Sequence, residues 1–419
     1  MRGFFAFLDD HRGLTRRYFL RMGAGSAAVL ACWPRSTLGE PVAPELAEAI
    51  EKLETILTAQ EKFQDVSRGE PLPHALPAEK KTEVGLTRET WRLEVLADPD
   101  KPARIRKPLA KADNTALDFA GLLKLAEKHA VRFAKVMTCL NIGCPLGTGI
   151  WEGVPLREIL WLTEPRENLR RVFYHGYHNN DAKQMFRSSL PVGRVLEDPF
   201  DLPPVIVCYK LNGEWLNSQR GGPVRIVVPE AYGFKSIKWL SHIYLSNIAA
   251  ANDTYAEQNN DVDSPLKTFA ATLSVPRKAK AGQAIPVTGY AQVGIGGLSK
   301  VQVWIQPKTE QHPAEDRHYT TAPWKDAEIL APPKSWGGEL PEGKIPAGTL
   351  GFEDKTGAPR TWPLRLFKAH WATLLPALPA GEYTLRSRAI DEKGNAQPLP
   401  RPFRKSGFAD IERVGIVVE

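Results

Sequence analysis

Apolar residues recur at helical spacing in two segments of the first part of the chain. The first segment, 44–62, also carries many charges, and its pattern predicts one exposed amphipathic helix. The second is Leu117–His129, where Asp118 stands near the start of the predicted helix. Residues 63–77, between the two segments, are rich in Pro and Gly and predict an irregular lead-in.

Short apolar runs surround these helices and predict strands. They lie at 91–95, at Val131–Met137 and at 242–245, and residues 204–228 are rich in strand-forming residues around a turn at Asn212-Gly213. Helices and strands are therefore mixed along this part of the chain, which predicts an α+β fold.

After Asn252 the pattern changes to short alternating strands separated by Gly and Pro turns. Residues 262–419 contain the runs TLSVP, IPVTGYAQ, KVQVWIQ and EYTLRSRAID, which predict a β-sandwich. The Pro-rich stretch 308–362 predicts a long excursion from that sandwich. A chain of 419 residues has room for the two or three domains that this division requires.

The composition is that of a globular protein, with 42% hydrophobic and 25% charged residues. The formal net charge of +7 is too mild to predict binding to nucleic acid. A weakly basic surface is compatible with an anionic substrate or an acidic partner, without requiring either.

Residues 1–43 have the features of a leader. The run Thr15–Arg21 (TRRYFLR) matches the twin-arginine signal pattern, and a mildly apolar segment too short to span a bilayer follows it. This pattern predicts export of the folded protein to the periplasm. Two alternatives remain open: an amphipathic N-terminus with a chance Arg-Arg pair, and acylation of Cys32 in a weak lipobox.

Beyond the leader the chain carries only Cys139, Cys144 and Cys208, too few for a disulfide scaffold. Cys139 directly follows the predicted strand Val131–Met137 and enters a Gly- and Pro-containing loop, where backbone can approach a bulky group closely. The thiolate of Cys139 is therefore a candidate metal ligand. Cys144 is the rival ligand, and a disulfide between the two is the third possibility.

A basic, Gly-containing segment forms the second candidate site. Tyr209-Lys-Leu-Asn-Gly is followed by Arg220-Gly-Gly-Pro-Val-Arg225 and then by Tyr232-Gly-Phe-Lys-Ser-Ile-Lys238. Fixed cations beside glycine turns suit a phosphate group, because such turns expose backbone N–H donors. The competing interpretation is a solvated basic edge of a hairpin.

These motifs, in this order, resemble the sulfite oxidase family of molybdopterin-dependent oxidoreductases. The Cys loop within Val136–Leu162 is similar to the family's molybdenum-ligand segment, and the basic segment is similar to the region that holds its pterin. The runs Gly289–Trp304 and Gly381–Pro398 resemble the family's immunoglobulin-like C-terminal domain, which mediates dimerisation. The resemblance implies a molybdopterin-binding domain over 85–255, after a lead-in at 44–84, and a mononuclear molybdenum–molybdopterin cofactor.

The resemblance also implies roles for individual residues. Cys139 would bind the metal, and it would form the reaction centre together with Phe186 and Arg187. The residues implied in cofactor binding, besides Cys139, are Ser67, Arg68, His175, Arg220, Arg225, Lys235, Ser236, Ile237 and Lys238.

Two departures from the family pattern concern the substrate. Sulfite-oxidising members carry an Arg four residues after the Cys, and this chain has Gly143 there. The family's catalytic Tyr corresponds by spacing to Phe186, so a phenol is missing and proton handling must differ. Arg187, His175, His178 and Asp181 are nearby polar candidates to replace it.

The sequence therefore predicts an exported oxidoreductase that acts on a small oxo-anion such as sulfite, or on a sulfoxide-like compound. Electrons would pass to or from a separate protein such as a c-type cytochrome, because no C-x-x-C-H haem motif or iron–sulfur motif occurs. The alternative is a non-catalytic exported binding or assembly protein with a degenerate pocket.

Overall fold

The computed structural model describes residues 43–263, 265–316 and 318–419. The predicted leader, with its twin-arginine pattern and Cys32, lies outside the described residues except for Ala43. Residues 48–419 form one compact unit. Within the described residues, no helix is long and apolar enough to cross a membrane.

Helices in the described residues are short and few. Asp118 caps one of them, as predicted, because its side chain accepts a hydrogen bond from the Gly121 amide at 2.7 Å. The helices are α1 (Pro44–Glu51), α2 (Ala78–Glu83), α3 (Phe119–His129), α4 (Leu156–Trp161), α5 (Val192–Leu196) and α6 (Thr254–Glu257).

Two sheets build the first part of the molecule. In one, the strand order is β2-β1-β10-β5-β6, with β1 and β10 parallel. Its strands are β1 (Arg92–Ala97), β2 (Leu117–Asp118), β5 (Arg171–Gly176), β6 (Arg187–Pro191) and β10 (Leu240–Ser246).

The second sheet carries the Cys loop and has the order β16-β3-β4-β7-β8, with β9 also pairing with β7. The Asn212-Gly213 turn joins β7 to β8, and both of its residues have positive φ angles, 56° and 86°, as a tight hairpin turn requires. The strands are β3 (Val131–Thr138), β4 (Pro145–Pro155), β7 (Ile206–Leu211), β8 (Glu214–Trp215), β9 (Arg225–Val227) and β16 (Thr349–Leu350).

The largest core lies between these two sheets. Leu93, Tyr174 and Ile243 of the first sheet pack in one buried cluster with Val154 and Val207 of the second. Burial of apolar surface on this scale is the main stabilising contribution to the fold. It also fixes the position of each strand end, and the candidate site is built at those ends.

The region after residue 262 is an all-β unit with the strand order β11-β13-β17-β15-β14-β18-β19-β12. One buried cluster joins Val287 and Trp371 with Val301 and Leu385, so strands from both halves of this order share a core. The immunoglobulin-like assignment stays a prediction. The strands are β11 (Phe269–Ser274), β12 (Lys278–Ala279), β13 (Ile285–Gln292), β14 (Lys300–Pro307), β15 (Lys325–Ile329), β17 (Lys368–Leu375), β18 (Gly381–Ile390) and β19 (Glu412–Val418).

The stretch 308–362 is less of an excursion than predicted. Its strand β15 lies inside the C-terminal sheet, between β17 and β14. Farther on, β16 pairs in parallel with β3, and Trp336 and Phe352 share a buried cluster with Ala134 and Ile150. This stretch therefore connects the C-terminal unit to the sheet that carries the Cys loop.

Two predictions about secondary structure were wrong. The helix predicted over 44–62 ends at Glu51, because Ile56 and Leu57 are buried instead and the Leu57 amide bonds to the Trp336 carbonyl at 2.9 Å. The Gly-rich stretch after the Cys loop forms β4, not a loop. Its glycines allow close packing: a Cβ on Gly147 would lie 2.4 Å from the Phe63 ring.

Candidate functional site

Cys139 stands directly after β3, at the start of the hairpin loop that leads into β4. The Thr138 hydroxyl hydrogen-bonds the Gln292 side chain of β13, and the loop residue Gly143, at φ 70°, packs against Phe408. The C-terminal unit therefore holds both sides of the Cys loop. The thiol is half-buried and unpaired.

Cys144 occupies the other side of the same loop and is also a free thiol. Burial, reinforced by the neighbouring Cys139, raises the pKa of the Cys144 thiol and so disfavours the thiolate that a metal ligand requires. Cys208 is fully buried, and burial raises the pKa of its thiol to about 12. Of these three thiols, Cys139 lines an apolar cavity of the described residues, and the other two do not line it.

That cavity has a volume of about 320 Å³ and lies where the ends of β3 and β9 meet the irregular lead-in. Much of the lining is apolar and aromatic and includes Phe63, Trp151, Phe234 and Trp239. Many of the predicted site residues come together here. Those that line the cavity are Ser67, Arg68, Cys139, Phe186, Arg220, Arg225, Ser236, Ile237 and Lys238.

Arg220 and Arg225 form the cationic side of the cavity. Arg225 is 4% exposed and donates to the carbonyls of Arg220 and Ser236, at 2.8 and 2.6 Å, but its Nε has no partner. Arg220 is 2% exposed, and its Nε and Nη2 are both unpartnered. Buried donors without acceptors are costly in a folded protein, so these atoms mark a place for an anionic group.

A glycine turn makes this arrangement possible. Gly221 follows Arg220 with φ 99°, and a Cβ at this position would lie 2.8 Å from the Lys238 side chain. Lys238 can therefore pass close to the turn and donate to the Gln219 carbonyl at 2.7 Å. The backbone freedom of glycine brings Arg220 and Lys238 into one site.

The charges at this end of the cavity perturb one another. Burial, together with the nearby Arg225 charge, lowers the pKa of Lys238 to about 7, although Asp65 opposes the shift at a distance of 3.0 Å. Burial also lowers the pKa of Arg225 to about 10. Burial alone would raise the pKa of Asp65, but a hydrogen bond from Ser67 and the Lys238 charge hold it well below its usual range.

Three residues predicted for the site do not line the cavity. Lys235 is buried and donates to the Ser189 carbonyl at 2.7 Å, with Asp253 at 3.7 Å. Its ammonium group therefore supports the backbone and is not directed at a cofactor.

His175 and Arg187 also lie outside the cavity lining. The His175 ring stacks on His242 at 4.7 Å, and its Nδ1 is 3.0 Å from the Gly176 carbonyl. Arg187 donates to the Asn252 carbonyl at 2.6 Å and lies over the Phe173 ring. The structure thus gives both residues partners on and around the five-stranded sheet.

Two cavity residues were given no cofactor role from the sequence. His178 lines the cavity with both ring nitrogens unpartnered, and burial followed by the neighbouring His175 lowers its pKa to about 4. Tyr255 lines the cavity from α6, between Phe186 and Phe234. No motif marked Tyr255, because it lies at the very end of the predicted domain 85–255, after the last recognised motif.

Comparison with known proteins accounts for this geometry. Residues 82–254 match the family model described as "Oxidoreductase molybdopterin binding domain". This segment is therefore similar to oxidoreductase molybdopterin-binding domains. The molybdenum–molybdopterin cofactor predicted from the sequence is confirmed by this match and by the sulfite oxidase relatives.

The chain is similar to the sulfite oxidase of Gallus gallus, with 29% identity over 320 residues that cover 71% of this chain and 60% of that protein. It is also similar to the mitochondrial sulfite oxidase of Drosophila melanogaster, with 28% identity over 184 residues, or 43% of this chain and 30% of that protein. The matched region thus spans less than two thirds of either relative.

Among solved structures, the chain resembles the sulfane dehydrogenase SoxCD from Paracoccus pantotrophus, with a TM-score of 0.54 and 16% identity. The likeness covers 91% of each chain, so it includes the C-terminal all-β unit as well as the molybdopterin-binding domain. At this identity the likeness concerns the fold, and it supports the sheet-rich architecture with few helices.

The cavity fits the cofactor that the comparisons imply. The unpartnered nitrogens of Arg220 and Arg225 would meet the anionic end of a molybdopterin, and Ser236 lines the same cavity. The Cys139 thiolate would ligate the metal, since soft sulfur ligands suit such a centre. The aromatic side chains of the cavity lining would contact the organic ring system of the cofactor.

Proposed function

We propose that the protein is an exported molybdenum oxidoreductase that carries out oxygen-atom or two-electron transfer on a small sulfur oxo-compound, sulfite first among them. The observation that carries the proposal is a single cavity that joins one half-buried thiol, Cys139, to buried arginines without anionic partners. The bound molybdenum centre would supply the two-electron chemistry. Similarity to sulfite oxidases supports the choice of substrate class.

The protein's own residues have separate tasks in this proposal. Arg220 and Arg225 hold the anionic end of the cofactor, and Cys139 holds the metal end. The exposed Arg68 guanidinium stands over the Phe186 ring, 4.4 Å from its centroid, where it can meet an anion that enters from solvent. Arg68 thus provides a cation near the Cys139 loop, although the loop itself lacks the family's arginine.

Electrons would leave through a separate redox protein, such as a c-type cytochrome. The chain carries no C-x-x-C-H motif, and a periplasmic location would give it access to such partners. The run Thr15–Arg21 supports export after the cofactor has been inserted. A double Arg16→Lys, Arg17→Lys variant should then accumulate in the cytoplasm, and normal export of this variant would refute the proposed route.

The proposal is tested by two measurements on the natively exported protein. Metal and pterin analysis should find about one molybdenum and one pterin per chain, and sulfite should drive reduction of cytochrome c or ferricyanide. If the molybdenum-loaded protein does not oxidise sulfite but reduces a sulfoxide, the proposed substrate becomes a sulfoxide. Folded native protein without molybdenum would overturn the proposed function and restore the binding-protein alternative, which the comparisons do not favour.

A further inference from the structure

The cavity contains a buried phenol that the preceding assignments do not use. Tyr255 is 2% exposed, yet it lines the same cavity as Cys139. Its ring is wedged between Phe234, stacked at 4.5 Å, and Phe186, edge-on at 5.3 Å. A tyrosine so enclosed has a fixed ring, and only its hydroxyl group is left to act as a polar tip.

Asn141 and Arg68 line the cavity together with Tyr255, and the Arg68 guanidinium stands over the Phe186 ring that Tyr255 contacts. Burial raises the pKa of the Tyr255 phenol, while the nearby charge of Arg68 opposes that rise. The phenol therefore stays protonated at neutral pH and can donate a hydrogen bond. Asn141 and Arg68 are both exposed, so this part of the cavity lining is open to solvent.

A buried network holds Tyr255 in place. Asp253 caps α6, because its Oδ1 accepts from the amides of Tyr255 and Ala256 at 3.1 Å each. The Asp253 carboxylate is fully buried, accepts from the Ser189 hydroxyl at 2.8 Å, and lies 3.7 Å from the Lys235 ammonium. A buried charge with three kinds of partner is a rigid support.

This network gives Lys235 a structural role, although Lys235 does not line the cavity. The ammonium group compensates the buried Asp253 carboxylate, and Asp253 in turn orients the helix that carries the phenol. Lys235 and Asp253 are therefore positioning residues, and Tyr255 is the group that reaches the cavity.

We infer that Tyr255, Arg68 and Asn141 form the subsite that binds an oxygen of the anionic substrate beside Cys139. A protonated phenol, a guanidinium group and an amide are a suitable donor set for a small tetrahedral or pyramidal oxyanion, such as sulfite or sulfate. Lys405 does not line the cavity, but its Nζ lies 5.5 Å from the centroid of the Tyr255 ring. The inference rests on the proposed function, because it assigns the substrate-binding groups of that site.

The test uses the molybdenum-loaded protein and sulfate, an unreactive oxyanion, with binding followed by calorimetry. Tyr255→Phe keeps the ring between Phe186 and Phe234 but removes the hydroxyl group. It should raise the sulfate Kd about tenfold or more, as expected for loss of a hydrogen bond to a charged group. The molybdenum-to-protein ratio should stay at the wild-type value, and the KM for sulfite should rise more than kcat falls.

Arg68→Gln provides a second, independent variant, because the residue is exposed and its replacement leaves the core intact. It should weaken sulfate binding to a similar or greater extent. Tyr209→Phe is the matched control: this buried phenol donates to Glu152 at 3.0 Å and does not line the cavity, so the sulfate Kd should not change.

Three results would overturn the inference. One is sulfate binding within twofold of wild type in fully loaded Tyr255→Phe. Another is a fall in molybdenum content that parallels the fall in binding, which would make Tyr255 a cofactor-holding residue. The third is a loaded wild-type protein that neither binds sulfate nor oxidises sulfite; only this result also removes the proposed substrate class.

Discussion

At the scale of single residues, the proposed cofactor site has a metal end and an anion end. The metal end consists of one thiol, Cys139, directly after β3, and the anion end consists of Arg220 and Arg225, which are buried with some of their nitrogens unpartnered. Unpaired buried cations destabilise a protein by themselves. An anionic group bound at this end would therefore compensate the buried positive charges of Arg220 and Arg225.

Replacement of the thiol tests the metal end. Cys139→Ser should reduce turnover at least a hundredfold and lower molybdenum retention, because a hydroxyl group is a poor substitute for a soft thiolate ligand. Molybdenum content and sulfite-dependent cytochrome reduction give the two readouts. Cys144→Ser is the matched control from the same loop, and full activity in Cys139→Ser with an inactive Cys144→Ser would reverse the assignment.

Arg220 and Arg225 should respond differently to substitution, although both face the cavity. The Arg220 side chain has two unpartnered nitrogens, so Arg220→Gln should raise the melting temperature of cofactor-free protein while weakening cofactor retention. Arg225→Ala removes donors to two backbone carbonyls and should destabilise cofactor-free protein by about 2–4 kcal/mol. Thermal melts with and without cofactor distinguish the two effects, and equal responses would contradict the assignment. Exposed Arg104→Gln is the control.

The lowered pKa of Lys238 predicts a pH dependence of stability. Its pKa is about 7 in the fold, against 10.5 ordinarily, because of burial and the Arg225 charge. The unfolded chain therefore binds more protons between pH 7 and 10.5, so cofactor-free protein should become more stable as pH rises through this window. Bound cofactor should reduce the effect, because an anion restores the Lys238 charge, and Lys238→Met should remove it. Equal slopes in wild type and Lys238→Met would contradict this prediction.

At the scale of elements, the apolar pattern predicted β1, β3, β10 and α3 correctly, because β1 alternates over most of its length and β3 is a mostly apolar run with six consecutive buried residues. It missed β4, where Gly and Pro suggested a loop; those glycines in fact allow neighbouring side chains and backbone to approach closely. The helix predicted at 44–62 was cut short by a long-range bond from Leu57 to Trp336. Such contacts depend on residues far away in the sequence and have no local signal.

The same limit applies to the site. Cys139 and the basic segment were found because each occupies a continuous motif, and the structure places most of their residues around one cavity. Arg68 comes from the lead-in 44–84 and Tyr255 from the end of the predicted domain 85–255, so only the fold brings the two residues together. Lys235 shows the converse, since it lies within the basic motif but turns away to Asp253.

The stretch that carries β16 should matter to the Cys loop although it is distant in sequence. Trp336 is 7% exposed and contacts Phe352 and Phe367, in a cluster that includes Ala134 of β3. Trp336→Ala should destabilise the protein by about 3–5 kcal/mol, the usual range for a buried aromatic side chain. Denaturant titration measures this change, with exposed Trp161→Ala as the control, which should cost far less. Similar losses for both variants would mean that the cluster does not stabilise β3.

At the scale of the whole molecule, contacts between the two predicted domains are extensive and partly buried. Thr138 bonds to Gln292, Lys368 forms an ion pair with Glu54 at 2.6 Å, and β16 pairs with β3. These contacts join segments that the sequence assigns to separate domains. They attach the C-terminal unit directly to the strand that precedes Cys139.

The two regions should therefore unfold together. Calorimetry of the full chain should show one transition, with the calorimetric enthalpy equal to the van't Hoff enthalpy, because loss of the C-terminal unit would expose the buried Trp336 cluster and free the Cys loop. Gln292→Ala should lower the temperature of that single transition and also increase the alkylation rate of Cys139, since Gln292 holds the residue next to it. Two resolved transitions, or an unchanged alkylation rate in Gln292→Ala, would show that the C-terminal unit does not hold the Cys loop.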